Sequence, residues 1–371
     1  MKITFVLPTK NISGGVKSTF ELANRMQARG HEVSVVYPLI PGRHGASHLN
    51  RQALWGRARG IHSNLEQGNR VEWFDLQADL VRVPWMNASR IPRGDVVVAT
   101  WWADAYIVHD CKPDRGAKFH VIRHYEVWGG PKDLVDDAYR LPLRKIATSS
   151  WLKRTIEKRF DVDVLGPLMN GIETGSFYMT KEGFAAHEPR RIGLMYRRSP
   201  WKGMEDAFKA LRAVREEYPD IEFVVFGESP SPEDALTMRG LSNLEYHKMP
   251  YGDRLRKIYN SLDIFLFPSH SEGFGNPPME AMACGAACVT TDVGGVSDYA
   301  IPGKTALVVA PGRPQEMAGS ILSLLADEKK RRELAAAGYE YIGKFSWDDC
   351  AQRLEEFILG ELAGSGVGTG E

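Results

Sequence analysis

The sequence predicts an α/β protein with two domains, each built on a parallel β-sheet. Its 371 residues suit two domains of ordinary size. A strand, a helix and a second strand follow one another in residues 3–37, and similar order recurs in residues 192–226 and 263–295. Two strands joined through a helix pair in parallel with a right-handed crossover. The recurrence of this unit in both halves of the chain predicts two α/β domains of similar architecture.

The first of these units lies at the N-terminus. Its predicted elements are a strand at Ile3–Leu7, a loop at Lys10–Val16, a helix at Ser18–Arg29 that Gly30 ends, and a strand at Val33–Tyr37. The loop is not a P-loop, because a Lys17–Ser18 ending would require glycines where Asn11 and Val16 stand. It also lacks the third glycine of a dinucleotide-binding fingerprint. What remains is a glycine pair at a helix entrance, which an ordinary turn would also contain.

Aromatic and polar side chains cluster after two further strands of the first half. The remaining elements of this half are predicted at Asp95–Thr100, Lys118–Arg123, Leu143–Thr148 and Val162–Leu165, with a helix through Lys158. The clusters are Trp101, Trp102 and Asp104 after the first strand, and His124, Tyr125, Glu126 and Trp128 after the second. Parallel sheets bind ligands at the carboxyl ends of their strands, so both clusters are candidate sugar-binding groups. Tryptophan is equally a core residue, which leaves each ring open to either interpretation.

Residues 40–70 are the least structured part of the first half. They contain five arginines against a single glutamate, Glu66, with Trp55 among them. Such a segment could lie on an anionic membrane face or hold an acidic acceptor. The alternative is a solvated basic loop, which Gly56 and Gly60 favour because they weaken an amphipathic helix.

The second half of the chain is organised around residues 263–295. Ile264–Phe267 is a continuous apolar run, as expected of a strand that is buried on both faces. Glu272 lies on the loop that follows. Asn276 suits the N-cap of the next helix, which would place Glu280 in the first helical turn. The other elements are predicted at Ile192–Tyr196, Glu205–Glu217, Ile221–Phe226, Leu244–Met249, Asp253–Leu262, 314–326, 328–343 and Trp347–Leu362.

A loop between a buried strand and a helix presents backbone N–H groups and the positive end of the helix dipole, which bind anions such as phosphate. Two carboxylates repel phosphate, so Glu272 and Glu280 need another ligand group. Paired hydroxyls of a polyhydroxylated ring provide it. A sugar joined to a nucleoside diphosphate carries both groups. The alternatives are a solvated loop charge for Glu272 and an interaction with the helix dipole for Glu280.

The spacing of the two glutamates within EGFGNPPMEAMACG, residues 272–285, resembles the signature of retaining nucleotide-sugar glycosyltransferases of the GT-B fold, family 4. This resemblance implies two Rossmann-like parallel-sheet domains that face each other across a cleft, with the acceptor on the first and the nucleotide-sugar on the second. The chain departs from the family pattern at Asn276, Ala287 and Ala306, and at Asp298 where the family usually has glutamate. Asn276 is the departure that leaves the donor's identity open.

The resemblance also implies a role for each site residue. Glu280 would hold the ribose hydroxyls and Glu272 those of the transferred sugar, while Arg197 and Lys202 would clamp the diphosphate. His124 would orient the sugar or the acceptor. The expected catalytic residues are Glu272, His124, Arg197 and Lys202, and the expected donor-binding residues are Gly14, Gly15, Gly273, Phe274, Gly275, Asn276 and Glu280. Val16 completes the glycine turn that adjoins the donor phosphates and the acceptor in the family.

The expected domain boundaries follow the same resemblance. They are an acceptor-binding domain at 1–172, a linker at 173–189, a nucleotide-sugar-binding domain at 190–345, a helix at 346–362 that crosses back to the first domain, and a flexible tail at 363–371. We expect no cofactor and no metal, because the two cations would compensate the leaving group. Asp161 and Asp163 form a DxD pair, which is expected to be solvated.

Composition limits the partners and the compartment. The formal net charge is zero and the pI is about 7.2, so no global field attracts nucleic acid. The four cysteines lack metal-ligand spacing and fit buried free thiols in a reducing compartment. The N-terminal apolar run is too short for a signal peptide. We therefore expect a cytoplasmic enzyme, with peripheral membrane contact through residues 40–70 as an alternative.

The expected function is transfer of a sugar, with retention, from a nucleoside-diphosphate sugar to the hydroxyl of a glycan, a lipid-linked glycan or a small molecule, as in polysaccharide biosynthesis. Two alternatives stay open at this point. The same scaffold could serve a nucleotide-sugar epimerase or hydrolase, which would form product without an acceptor. A non-catalytic nucleotide-sugar-binding protein would bind donor without any turnover.

Overall fold

The computed structural model describes residues 1–40, 70–180, 184, 187–188 and 190–364. The chain divides into two compact units, of which the first consists of Met1–Gly171 and Trp347–Glu371 and the second of Ile172–Ser346. The last helix therefore belongs to the unit that contains the N-terminus. The basic segment predicted at 40–70 lies, apart from its two end residues, outside the described residues.

The elements of the described residues alternate between strands and helices over most of the chain. The strands are β1 (Lys2–Val6), β2 (Glu32–Pro38), β3 (Asp79–Val83), β4 (Val96–Ala99), β5 (Ala117–Ile122), β6 (Arg144–Ala147), β7 (Val164–Leu165), β8 (Arg191–Tyr196), β9 (Glu222–Gly227), β10 (Leu244–Lys248), β11 (Ile264–Phe267), β12 (Ala287–Thr291) and β13 (Leu307–Val309). The helices are α1 (Gly14–Ala28), α2 (Trp102–His109), α3 (Lys132–Arg140), α4 (Ser150–Phe160), α5 (Met204–Glu217), α6 (Pro232–Arg239), α7 (Gly252–Asn260), α8 (Asn276–Ala283), α9 (Pro314–Ala326), α10 (Glu328–Ile342) and α11 (Trp347–Gly364).

Each unit contains one parallel sheet. The first sheet has the strand order β3-β2-β1-β4-β5-β6-β7 and the second has the order β10-β9-β8-β11-β12-β13. Strand order reverses between β1 and β4 in the first sheet and between β8 and β11 in the second, and ligands of open α/β sheets bind at such switch points. The prediction of an α/β chain with two parallel sheets is confirmed.

The first sheet is covered on both faces because its central strands are apolar throughout. Val96 and Val98 of β4 pack into one cluster with α1 and α11, whereas Val97 and Ala99 pack into another with α2, α3 and α4. Alternate residues of a strand point to opposite faces, so an uninterrupted apolar run buries both. The burial of α11 against α1 fixes the C-terminal helix in the first unit.

Helix α1 begins earlier than predicted. Gly14, Gly15 and Val16 form its first turn instead of a loop, because Ser13 is the N-cap and its Oγ accepts a hydrogen bond from the Val16 N–H at 3.2 Å. The prediction was wrong because the glycine pair indicated a turn. The predicted end is correct, since Gly30 follows the helix with a φ of +90°.

Several short elements were not predicted at all. Strand β3 is an edge strand with mostly half-exposed residues, and β13 has only three residues. Helix α2 begins within the first aromatic cluster, at Trp102, while α3 begins soon after the second cluster and α6 follows β9. Short elements give too few periods of hydrophobic alternation to be distinguished from loops.

Candidate functional site

The central segment of the second unit runs from β11 through a loop into α8 and on to β12. β11 pairs with β8 on one side and with β12 on the other, and all four of its residues are buried. The loop therefore leaves the sheet at the switch point. This is where the sequence placed the candidate site.

The start of α8 differs from the prediction. Gly275 is the N-cap, with a left-handed φ of +83°, and Asn276 is the first helical residue. A Cβ at position 275 would lie 2.8 Å from Cγ2 of Val296, so only glycine fits here. Asn276 is therefore not the N-cap, and Glu280 lies beyond the first turn rather than within it. Glycine adopts the left-handed conformation readily because it has no Cβ. Asparagine is a common N-cap residue, so the sequence favoured Asn276 over Gly275.

Glu272 is a buried carboxylate with two defined partners. Its Oε1 lies 2.6 Å from Nζ of Lys202 and accepts a hydrogen bond from Oγ of Ser269 at 2.7 Å. Only 7% of the residue is exposed. The alternative of a solvated loop charge therefore does not hold. Gly294 packs against the backbone of Glu272, since a Cβ there would lie 1.7 Å from the Glu272 carbonyl oxygen.

Glu280 is buried as well, and Tyr259 of α7 holds it. The Tyr259 hydroxyl donates a hydrogen bond to Oε2 of Glu280 at 3.0 Å. Burial, together with the charge of Glu280, raises the pKa of Tyr259 well above its ordinary value, so the phenol keeps its proton as a donor. The two glutamates therefore have separate supports, a cation for Glu272 and a neutral hydroxyl for Glu280.

The backbone of the loop between them is fixed through its carbonyl groups. The Gly295 N–H donates to the Gly273 carbonyl at 3.1 Å, and the Tyr299 hydroxyl donates to the Gly275 carbonyl. Phe274 is buried, with its ring 5.6 Å from that of Tyr299. In a trans peptide the N–H points away from the preceding C=O. The N–H groups of Phe274 and Asn276, which follow these two carbonyls, therefore point away from the donors that bind the carbonyls.

The two predicted cations have different partners. Lys202 ends a short 3₁₀ turn at Pro200–Lys202, and Gly203 packs so closely on Pro268 that its Cβ would lie 2.0 Å from the Pro268 carbonyl oxygen. This contact brings Lys202 to the end of β11 and thus to Glu272. Arg197 instead pairs with Glu228, with its Nη1 3.2 Å from Oε1.

Sequence reasoning did not single out Ser269, Tyr259 or Glu228. Ser269 is close to Glu272 in the sequence, so its proximity offered a signal. Tyr259 and Glu228 reach their partners only through the fold and gave none. Arg198, next to Arg197, is exposed, and its Nε donates to the Ser229 carbonyl at 2.7 Å.

In the first unit, the predicted glycine turn lies at the N-terminus of α1, and His124 follows β5. His124 is half-buried, with Nδ1 2.9 Å from the Tyr125 carbonyl oxygen and its ring 6.0 Å from that of Trp128 in an edge contact. The residue in contact with the glycine turn is its neighbour Arg123, whose Cδ would be 3.6 Å from a Cβ at Gly15.

The two aromatic clusters divide between core and surface. Trp102 and Asp104 are buried, so they do not line an exposed site, whereas Trp128 is 49% exposed. Glu126 is buried, and its Oε2 accepts a hydrogen bond from the Trp102 N–H at 2.9 Å. Burial raises the pKa of Glu126 to about 8 and, with the nearby Glu126 charge, that of Asp104 well above its ordinary range. Glu126 thus binds the first N–H group of helix α2.

Within the described ranges, no three histidine, cysteine or acidic residues form a group that could hold a metal ion. Asp161 and Asp163 are both exposed. The four cysteines are buried and free. No helix in the described part of the chain is long and apolar enough to cross a membrane.

Comparison with solved structures identifies the fold. The chain aligns over 97% of its length with all of the Anabaena protein Alr3699/HepE in complex with UDP-glucose, with a TM-score of 0.74 and 16% identity. It aligns over 98% of its length with all of a sucrose-phosphate synthase from Thermosynechococcus elongatus, again with a TM-score of 0.74 and 16% identity. At this identity the likeness concerns the fold alone, which is GT-B as predicted.

Curated relatives match smaller parts of the chain. A D-inositol 3-phosphate glycosyltransferase from Segniliparus rotundus is 28% identical over 56% of this chain and 48% of its own length. The sulfoquinovosyl transferase SQD2 from Arabidopsis thaliana is 30% identical over 39% of this chain and 29% of its own length. The chain thus matches about half or less of the length of these relatives. The model of the family described as "Glycosyl transferases group 1" matches residues 179–341, which lie in the second unit.

Proposed function

We propose that this chain is a retaining glycosyltransferase that moves a sugar, of the hexose type, from a nucleoside-diphosphate sugar to an acceptor hydroxyl. The observation that carries the proposal is the pair of buried, separately supported carboxylates, Glu272 and Glu280, at the start of α8. The match of residues 179–341 to the group 1 glycosyltransferase family model supports it, as does the likeness to a fold neighbour that was solved with UDP-glucose.

The two carboxylates would bind the two sugars of the donor. Glu280 would accept hydrogen bonds from the ribose hydroxyls and Glu272 from hydroxyls of the transferred sugar, since an ionised carboxylate accepts several such bonds. The loop amides at 273–276 would bind donor oxygens. The N-terminus of α8 adds a favourable field for the diphosphate.

The cations would stabilise the leaving group. When the bond between the anomeric carbon and the diphosphate oxygen breaks, negative charge develops on that oxygen. Lys202 would move part of its interaction from Glu272 to the diphosphate, and Arg197 would add a second cation. Both are already positioned by carboxylates, so little reorganisation is needed during the reaction.

Retention would follow from attack on the face that the diphosphate leaves. The acceptor oxygen forms a bond to the anomeric carbon, and its proton passes to the departing phosphate oxygen, which gives a glycoside and a nucleoside diphosphate. His124 would orient the sugar or the acceptor. The acceptor is proposed to be a glycan or a lipid-linked glycan, with the segment 40–70 as the candidate membrane contact in an otherwise cytoplasmic enzyme.

Variants of the two glutamates test this function. Glu280→Gln should weaken donor binding about tenfold or more, because hydrogen bonds to a charged group contribute about 1.5–3 kcal/mol. Glu272→Gln should lower the transfer rate. Glu205→Gln is the matched control, since Glu205 is exposed and pairs with Lys209 on α5. Rates and donor affinities equal to those of the wild type in both test variants would end the assignment.

Two further measurements test the finer claims. The anomeric configuration of the product, determined by proton NMR, should equal that of the donor, and inversion would refute retention. Transfer should continue after treatment with a chelator, because Lys202 and Arg197 are proposed to compensate the leaving group without a metal. Loss of transfer that added divalent cations restore would refute the metal-independent mechanism.

A further inference from the structure

We propose that His270 is a positioning residue, which holds the turn that carries Lys202 against the loop that carries Glu272. It does so through the carboxylate of Asp206 and the backbone of Trp201. These contacts lie within the second unit and need no substrate, whereas their role in the reaction rests on the proposed transferase function.

The Lys202–Glu272 pair joins two segments that are far apart in the sequence. Lys202 ends the short turn that follows β8, and Glu272 lies on the loop that follows β11. These strands are neighbours in the sheet, so both segments leave it at the same edge. The donor diphosphate would compete with Glu272 for the Lys202 ammonium group. Contacts other than this pair are therefore needed to keep the turn in place when the donor binds.

His270 supplies two hydrogen bonds between these segments. Its backbone N–H donates to the Trp201 carbonyl oxygen at 2.7 Å, and its Nε2 lies 2.6 Å from Oδ2 of Asp206. Because a carboxylate only accepts hydrogen bonds, Nε2 is the donor in the second contact. Asp206 lies in the first turn of α5, the helix that begins directly after the Lys202 turn. His270 thus attaches the loop to the turn and to the helix behind it.

The same loop is also attached on its other side, to the sheet. The hydroxyl of Thr291 on β12 donates to the Ser269 carbonyl, and the Ser269 hydroxyl donates to Oε1 of Glu272 at 2.7 Å. His270 follows Ser269 directly in the chain. The loop is therefore held between β12 and α5, and Glu272 lies only two residues beyond the contact with α5.

Core packing does not account for the contact between His270 and Asp206, because the His270 side chain is 41% exposed. Two alternatives are a surface ion pair of little consequence and an interaction of Asp206 with the dipole of α5. Either alternative would leave Lys202 unaffected when His270 is replaced. A positioning role would instead displace the turn and lower the rate of transfer, so the two can be separated by experiment.

Fluorine NMR of the full chain tests the contact through Trp201, the one tryptophan in the sequence of the second unit. The protein is labelled with fluorotryptophan, and Trp201→Phe identifies the resonance. His270→Ala and Asp206→Ala should each shift or broaden this resonance more than any other. His270→Gln should leave it near its wild-type position, because the glutamine amide nitrogen can donate from about the place of Nε2. His247→Ala is the matched control, since His247 pairs with Glu245 at 2.9 Å in the same unit.

Transfer kinetics test the role in the reaction, with whichever of UDP-glucose, GDP-mannose and ADP-glucose the wild type uses fastest. His270→Ala should lower kcat about three- to tenfold, because a displaced turn holds Lys202 less accurately as charge develops on the leaving group. KM for the donor should change less than about twofold. His270→Gln should restore most of kcat. The double variant with Asp206→Ala should be no slower than His270→Ala, because both substitutions remove the same contact.

Either of two results overturns the proposal. An unchanged Trp201 resonance in both alanine variants would show that the contact does not fix the turn. A displaced resonance with kcat within about twofold of the wild type, or equal effects in the control variant, would reduce the contact to a structural one. Failure of the proposed function would appear separately, as unchanged transfer in Glu272→Gln and Glu280→Gln. The role of His270 in the reaction would then fail as well, while fluorine NMR would still decide whether it holds the turn.

Discussion

The charged groups of the two units differ in how they are compensated. In the second unit, Glu272 has Lys202 and Arg197 has Glu228 at hydrogen-bond distance. In the first unit, the guanidinium of Arg123 has no partner among the described residues. Both sets lie after strands of a parallel sheet, close to a helix N-terminus.

This difference indicates two ways of preparing a site for a charged substrate. Where an ion pair already exists, each charge is compensated and the pair fixes the position of both side chains. A ligand must then share or displace one of the partners. Where a buried cation has no ionic partner, binding of an anion would supply one and offset the free-energy cost of the unpaired buried charge. Removal of Lys202, the partner of Glu272, is therefore expected to lower the activity of the second unit. Removal of the Arg123 charge is expected to leave the stability of the first unit largely unchanged.

The largest expected effect comes from breaking the ion pair of the second unit. Lys202→Met should lower kcat about 10²–10³-fold, because it removes charge stabilisation from the leaving group. It also leaves the buried Glu272 carboxylate with the Ser269 hydroxyl but without its cation. Transfer assays at saturating donor measure this. Lys209→Met is the control, since Lys209 is exposed on α5 and pairs with Glu205. Equal kcat values for the two variants would contradict the role of Lys202.

A smaller effect should separate the units by pH. The pKa of Glu126 is about 8 in the folded state and ordinarily 4.5, so the folded state holds a proton that the unfolded state releases between these values. Burial also lowers the pKa of His120, in the same unit, to about 3, so the titration of His120 opposes the effect of Glu126 up to about pH 6.5. The free energy of unfolding of the first unit should therefore fall as pH rises from about 6.5 to 8, by about 1–2 kcal/mol.

Tryptophan fluorescence monitors this change, because every tryptophan except Trp201 belongs to the residues of the first unit. Glu126→Gln should flatten the pH dependence while it keeps an acceptor for the Trp102 N–H. The interpretation is wrong if the slope is the same in this variant. It is also wrong if stability rises with pH over this window.

Tyr259→Phe should have a moderate effect that is confined to donor binding. It removes the hydrogen bond to Glu280, so KM for the donor should rise about tenfold while kcat changes less than about twofold. Tyr196→Phe is the matched control, because Tyr196 is also buried and donates to a carboxylate, that of Asp234. A fall in kcat at constant KM, or equal effects in the two variants, would refute this positioning role.

Much of the fold could be predicted from the sequence, because buried parallel strands give continuous apolar runs. Ile264–Phe267 was predicted with its observed bounds, and the helices at the C-terminal end agree within two residues. The helix starts at Ser13 and Gly275 were misplaced for opposite reasons. In the first case the two glycines after Ser13 indicated a loop, although Ser13 is the N-cap of a helix. In the second case Asn276 was predicted to be the N-cap, although the preceding Gly275 has that position.

The candidate site could be predicted only in part. The contact between Lys202 and Glu272 joins residues from different loops. Both were predicted as site residues from the sequence, but their contact with each other was not. Arg123 was assigned to the end of a strand, and its neighbour His124 was selected instead because it matched a family pattern. The backbone conformation after β5 decides whether the side chain of residue 123 or 124 faces α1. The residue types alone do not determine that conformation.

The smallest expected effect compares one substitution in the two units. Gly14→Ala should raise the free energy of unfolding by about 0.4–1 kcal/mol, because its backbone suits alanine and the space around it is open. Gly275→Ala should lower it, because φ is +83° and the new Cβ would meet Val296. Chemical denaturation of both variants measures the two signs. If Gly14→Ala destabilises the chain, the open space around Gly14 does not determine the effect of the substitution, and this comparison of the two glycines fails.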